Sequence, residues 1–298
     1  MDDSAARPRV GRRIAAYLIP AAVPAVLVGL YHLVRLNTGV MDAVNTGISA
    51  PARAFLARVS SGLPFVSLAE TLCTALVLWV LYHIIRTVSR VAHRRGWRAI
   101  LLKRLYAVAL VALYIWALFC WLWGVGYFAS GFAARSGLGG AGGVELQDLY
   151  GATVFFANLA NERSADVARD DGGHFAESVQ DIIALSDGVY DGISGQFPAL
   201  GGAHYPPKPM LYSRVYSRLG FTGFYFALTG ESNINTDAPG CLMPSTVAHE
   251  LAHQLGVFAE EEANFAGIAA CVTSGIPVYE YSGALSALLY LSSALRSA

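Results

Sequence analysis

Hydrophobic positions along this chain fall into two regimes. The first contains three uninterrupted apolar runs, Ile14 to Leu33, Pro64 to Ile85 and Leu105 to Phe128. Each is long enough to cross a hydrocarbon core of about 30 Å and predicts a transmembrane helix. After the glycine-rich stretch Ser130 to Gly143 the pattern becomes amphipathic. Val144 to Arg169 predicts a helix with Leu146, Leu149, Tyr150, Phe156 and Leu159 on one side, and Phe175 to Val189 predicts a second. Pro206-Pro207-Lys208-Pro209 forces an extended passage, while Leu211 to Arg218 fits either helix or strand. Phe221 to Leu228, aromatic-rich and bounded by glycines, predicts a strand, with Ser232 to Thr236 as its return. Val247, Leu251 and Leu255, four apart, predict a helix that Pro244 and the hydroxyls of Ser245 and Thr246 start and Gly256 ends. A further helix begins near Glu260 and stops at Gly275 and Pro277; Tyr281 to Ala298 is a last apolar helix, in the globular core or at an interface.

The expected organisation is therefore a membrane anchor of three helices (1–129), a linker or flexible neck (130–143) and a mainly α, α+β domain (144–298). Composition agrees, with 55% hydrophobic and 14% charged residues in 298. Basic residues set the orientation. Arg7, Arg9, Arg12 and Arg13 precede the first run, and Arg86, Arg90, Arg94, Arg95, Arg98, Lys103 and Arg104 lie between the second and third. Only Arg35, Arg53 and Arg58 lie between the first and second. The positive-inside rule then places the N-terminus in the cytoplasm and the final domain outside it, as in a bacterial inner membrane. Topology accounts for the basic loop, and 21 basic against 21 acidic residues give no reason to expect a nucleic-acid partner. Glu70, His32 and His83 sit near span ends and are assigned no function. Trp79, Trp116, Trp121, Trp123, Tyr82 and Tyr127 read as packing and interfacial-belt residues. Cys73 and Cys120 fall in spans; Cys241 and Cys271 flank the most chemically suggestive segment, either as a pair or as free thiols.

That segment is His249-Glu250-Leu251-Ala252-His253. On a helix, histidines four apart stand on one face and can share one tetrahedral zinc, with Glu250 beside it as general base for an activated water. Glu260, Glu261 and Glu262 follow after one turn. Glu260 and Asn264 are four apart and share a face, so Glu260 is the expected third ligand and Asn264 the group that orients a histidine. Glu262 lies about 200° from Glu260 on an ideal helix and is the alternative ligand. Glu261 is a solvated first-turn residue.

The run from Thr246 to Phe265 resembles the gluzincin type of zincin metallopeptidase, whose downstream Glu-x-x-Ala-Asn matches Glu260 to Asn264. The whole chain is similar to the bacterial membrane family known as domain of unknown function 3810, through the Glu-x-Glu-Ala-Asn-Phe segment, Lys208, Gly223 to Phe226, Thr229-Gly230-Glu231, Asn233, Asn235 and Tyr281-Ser282-Gly283. The resemblance implies a zincin-like fold, one zinc ion and hydrolysis of a peptide or protein substrate. It also implies that Gly223 to Leu228 lies along the cleft as an edge strand. Only six residues separate His253 from Glu260, fewer than in soluble gluzincins. Tyr225, Glu231, Asn233 and Tyr281 are candidates for substrate or oxyanion contacts. The expected protein is a membrane-anchored zinc endopeptidase; the competing readings are a tethered scaffold with a structural metal, and a site at the membrane with the last helix inserted.

Overall fold

A computed structural model describes residues 7–91, 97–138 and 142–298. Among the described residues three helices are long and apolar enough to cross a membrane: α1 (Arg7–Val34), α4 (Leu68–Val91) and α5 (Trp97–Leu122). Between α1 and α4 run α2 (Thr38–Val44), a π-helical turn (Asn45–Ser49) and α3 (Ala50–Ser61) as one continuous helical stretch. The C-terminal part holds α6 (Phe132–Arg135), α7 (Leu146–Arg163), α8 (Val179–Ala184), α9 (Asp191–Ser194), β1 (Lys208–Pro209), α10 (Ser213–Arg218), β2 (Gly223–Phe226) and β3 (Glu231–Ile234). It closes with α11 (Met243–Gln254), α12 (Glu260–Thr273) and α13 (Pro277–Ser297). The architecture is mainly helical with one small sheet.

The sheet has the order β1-β3-β2, with β1 parallel and β2 antiparallel to the central β3. Phe224 pairs with Asn233 and Phe226 with Glu231, so the predicted strand and its return form a hairpin whose outer strand, β2, is an edge. Gly230 makes the turn. Its φ of +70° suits glycine, and a Cβ there would meet the backbone of Ala57 at 2.5 Å, so the hairpin tip presses directly on α3.

The main core gathers Ile182, Tyr190, Leu200, Ile234, Val247, Leu251, Val257 and Tyr279, drawn from α8, β3, α11, α13, the segments flanking α9 and the loop after α11. Burying each such side chain contributes about 1.5–3 kcal/mol relative to exposure. Two tyrosines also satisfy backbone carbonyls in this core, Tyr190 on Ala248 and Tyr279 on Ile182, both at 2.6 Å. Helix α11 is held at its start from outside: the Ser245 N–H donates to Ser282 Oγ at 3.0 Å, and Ser245 Oγ meets Ser286 Oγ at 2.6 Å. The expected capping hydroxyls of Ser245 and Thr246 thus lie inside the first turn, where both reach Leu242 O, and the cap comes from α13. This explains the Tyr-Ser-Gly run: Ser282 is fully buried, and Gly283 lets α13 approach Cys271 on α12. Helix α13 packs on α7, α11 and α12 rather than standing as a span.

Anchor and domain are not separable layers. Glu231 of β3 accepts the Leu68 and Ala69 N–H groups that open α4 (3.2 and 2.8 Å), and buried Glu70 of α4 accepts the N–H groups of Leu211 and Tyr212 (2.7 and 3.0 Å) ahead of α10. Glu231 neutralises the positive end of α4, and Glu70 that of α10. Arg53 on α3 donates to Leu122 O at the end of α5 and lies 4.8 Å from the Phe258 ring. The stretch expected as a neck is structured up to residue 138: Phe132 is buried, and Arg135 donates to Gly256 O at 2.9 Å. Residues 139–141 of that stretch lie outside the described set. The third span also ends earlier than expected, because the chain leaves the helix after Leu122 and forms a 3-10 turn over Gly124–Tyr127.

Candidate metal centre and cleft

Helix α11 carries His249 and His253 one turn apart, their rings 4.7 Å apart and nearly perpendicular. Gly256 follows with φ of +88°, so the chain reverses and α12 starts with Glu260 facing back, as the spacing predicted. The Glu260 carboxylate bridges the two imidazoles: Oε2 lies 3.2 Å from His249 Nε2 and Oε1 3.5 Å from His253 Nε2. One ligand atom from each residue lies within 4.8 Å of the others. Ligands about 2.1 Å from one tetrahedral zinc stand about 3.4 Å apart, so this donor set has the right size and chemistry for the ion. His253 Nδ1 donates to Val257 O at 2.7 Å, which fixes the ring so that Nε2 is the nitrogen turned toward Glu260.

Glu250, one residue along, is 4% exposed and lines the same cleft. Burial pushes its carboxyl up to about 7, with His249 and His253 opposing and Glu260 reinforcing that shift. Its Oε2 has no hydrogen-bond partner. Hydrogen bonds from His249 and His253 hold the Glu260 carboxyl well below its ordinary value. Burial works against protonation of His253, but Glu260, Glu250 and the Val257 carbonyl outweigh it and raise the imidazole pKa.

The cleft beside these groups has a volume of about 840 Å³. Edge strand β2 and the preceding Gly220 to Thr222 form one wall, α11 and α12 the floor, and Leu289, Tyr290 and Ser293 of α13 the far rim. A Cβ at Gly223 would stand 2.7 Å from Glu250 Oε1 and 2.9 Å from its Cγ, so only glycine lets β2 lie against the carboxylate.

The remaining predicted residues divide sharply. Tyr225 lines the cleft with its hydroxyl buried and unpartnered, and burial raises that phenol to about 12. Asn264 lines it too, but its Oδ1 accepts from Tyr290 at 3.2 Å instead of orienting a histidine, and His249 Nδ1 is left without a partner. Glu262, the alternative ligand, points elsewhere: its two oxygens accept the N–H groups of Phe132 and Ala133 (2.8 and 2.9 Å) and cap α6. Glu231 and Asn233 are outside the cleft. Glu231 pairs with Lys208, and Asn233 Oδ1 accepts from Ser67 at 2.7 Å. Tyr281 stacks on Phe175, with Arg169 6.0 Å from its ring, on core contacts away from the cleft. The four cysteines are free.

Sequence reasoning placed Trp123 and Tyr127 in a membrane belt. Both line the cleft, with Trp123 5.4 Å from the His253 ring, 5.2 Å from Tyr225 and 4.8 Å from Phe258. The one available signal was Gly124-Val-Gly126, a helix-weakening pair at the end of the third apolar run.

No curated protein and no solved structure matches this chain at a significant level. A family profile does match, over residues 45–298, taking in α3, two of the candidate membrane helices and the whole cleft; the chain belongs to the family described as "Protein of unknown function (DUF3810)".

Proposed function

We propose that this protein is a membrane-anchored, zinc-dependent metallopeptidase of the zincin type, with its N-terminus in the cytoplasm and its cleft on the other side of the membrane. The observation that carries this reading is the convergence of His249, His253 and Glu260 beside a buried, unpartnered Glu250 at the edge of an open cleft. His249 and His253 through Nε2, and Glu260 through its carboxylate, would hold the metal. Bound there, zinc supplies Lewis acidity, lowering the pKa of water and polarising a carbonyl.

The protein's own groups do the rest. Glu250 lines the cleft and has one carboxylate oxygen without a partner; it would take a proton from the attacking water and hand it to the departing amine. Burial of that carboxyl brings its proton affinity close to neutrality, which suits both halves of the task. Val257, through its carbonyl, fixes the His253 tautomer. The Tyr225 hydroxyl, in the cleft lining with no other partner, would donate to the carbonyl oxygen. The edge of β2 offers an extended backbone along which a peptide lies. Three protein donors next to a cleft match a catalytic centre that keeps one position free, rather than the closed set of a structural site.

The decisive experiment is elemental analysis of the detergent-purified protein beside Glu260→Ala, a His249→Ala/His253→Ala double variant and Glu250→Gln. One zinc per chain is expected in the wild type and in Glu250→Gln, with zinc lost from the other two. Turnover of a peptide library should fall at least 100-fold in Glu250→Gln. Absence of zinc in the wild type, or full turnover in Glu250→Gln, would remove the reading.

A further inference from the structure

The stretch from α2 through α3 is inside out. Its buried stripe is Met41, Asn45, Ser49, Arg53, Ala57 and Ser60, four of the six polar, repeating nearly every fourth residue through the π-helical turn. Its outward face is largely apolar: Val40, Ile48, Phe55 and Val59 are exposed, Ile48 by 61% and Phe55 by 66%, beside the hydroxyls of Thr38 and Thr46 and a single charge, Arg58. A helix at a water boundary places these classes the other way round. The inversion continues into the turn before α4, where Leu63, Phe65 and Val66 are exposed, Phe65 by 89%. Chain continuity fixes where this face sits, because the stretch starts four residues after the end of α1 and the turn runs straight into α4.

A second element reaches the same level. The Tyr212 hydroxyl meets Thr74 Oγ1 at 3.3 Å, and Thr74 lies six residues into α4. At 1.5 Å per residue that is about 9 Å below the start of a span whose full length is only slightly more than the hydrocarbon thickness. Around Tyr212, Leu211, Val215 and Leu219 are exposed, Leu211 by 80%. Arg214 and Arg218, four apart, flank that apolar face and are exposed. Apolar side chains bordered by cations are the pattern of a helix lying in the headgroup region.

We infer that the outward face of α2–α3, the Phe65 turn and α10 form a lipid-contacting collar that seats the cleft at the bilayer surface. The occupant of this apolar face is the membrane itself, in continuity with the spans to which both elements are joined. Gly220 and Phe221, just after α10, are part of the cleft wall, and Tyr127, in the 3-10 turn that follows α5, is another part, so the cleft rim lies at the level of the collar. On the peptidase reading, which this consequence rests on, the substrate class is a polypeptide held at the membrane surface rather than one free in solution.

The test places nitroxide labels at Phe55→Cys and Val215→Cys, each in full-length protein carrying Cys73→Ala and Cys241→Ser, reconstituted in liposomes of phosphatidylethanolamine and phosphatidylglycerol. Cys120 and Cys271 are buried and stay in place. Collisional relaxation by oxygen, which partitions into lipid, is compared with that by a water-soluble nickel chelate. A label at Leu78→Cys, exposed on α4, serves as the lipid reference. At both collar positions oxygen should exceed the chelate by at least threefold, as at Leu78. Chelate access equal to or above oxygen access at either position would overturn the collar. The measurement uses neither zinc nor turnover, so a failed collar and a failed peptidase give separate results.

Discussion

Two buried polar clusters lie on either side of the β2–β3 hairpin, and they are built on opposite principles. On the side facing α3 and α4, Lys208 spends its three protons on Ser60 O, Val66 O and Glu231. Glu231 also accepts from Leu68, Ala69 and Thr229, and Asn233 accepts from Ser67 while donating to Phe224 O and Glu231 O. On the side facing the cleft, Glu250 Oε2, Tyr225 Oη and His249 Nδ1 are buried and unpartnered. A buried polar group without a partner costs about 1–3 kcal/mol, so a fold tolerates several in one place only where something else uses them. Saturation separates the cluster that joins anchor to domain from the cluster that offers chemistry. Glu231 and Asn233 resembled cleft residues in sequence because they lie near the histidines of α11; their full sets of partners place them outside the cleft.

The largest effect that would break this comparison is at Glu231. Replacing it by alanine leaves Lys208 buried as an uncompensated charge, and thermal or denaturant unfolding in detergent should show a loss of about 3–5 kcal/mol. A Lys208→Met/Glu231→Ala double variant should recover part of that loss, and a single-variant loss below 1 kcal/mol would mean that the pair is not structural. Gly223→Ala tests the other side. A Cβ within 3 Å of the Glu250 carboxylate displaces it, so turnover should drop by about 10–100-fold while zinc content stays at the wild-type level. Unchanged turnover would show that β2 does not position Glu250. The smallest effect belongs to Glu262, whose change to alanine frees two N–H groups at α6. It should cost about 1–2 kcal/mol in unfolding with no change in zinc content. Loss of zinc in that variant would move the third ligand from Glu260 to Glu262.

Much of the outline was legible without coordinates. Runs of twenty or more apolar residues have one stable environment, so the three candidate membrane helices could be read directly. Histidines four apart, a glycine stop and a carboxylate opening the next helix define the local geometry of the His249, His253 and Glu260 cluster, since every contact spans fewer than twelve residues of chain. What stayed hidden has the opposite character. Met41 to Ser60 could not be read as an amphipathic helix, because its buried face is polar and its π-helical turn shifts the period. Trp123 is 130 residues from His253, and nothing in an aromatic at the end of an apolar run distinguishes a membrane belt from a cleft wall.

The sequence by itself therefore determined which segments are apolar enough to span a membrane and which side chains sit on one face of a helix. Both depend on composition and on a fixed rise per residue. Folding decided where Glu262 goes, which of the two candidate tyrosines, Tyr225 or Tyr281, lines the cleft, and whether a buried polar group is spoken for. Those outcomes depend on partners brought from 100 or more residues away, such as Phe132 for Glu262 and Leu68 for Glu231, and on the space left over when they have been placed.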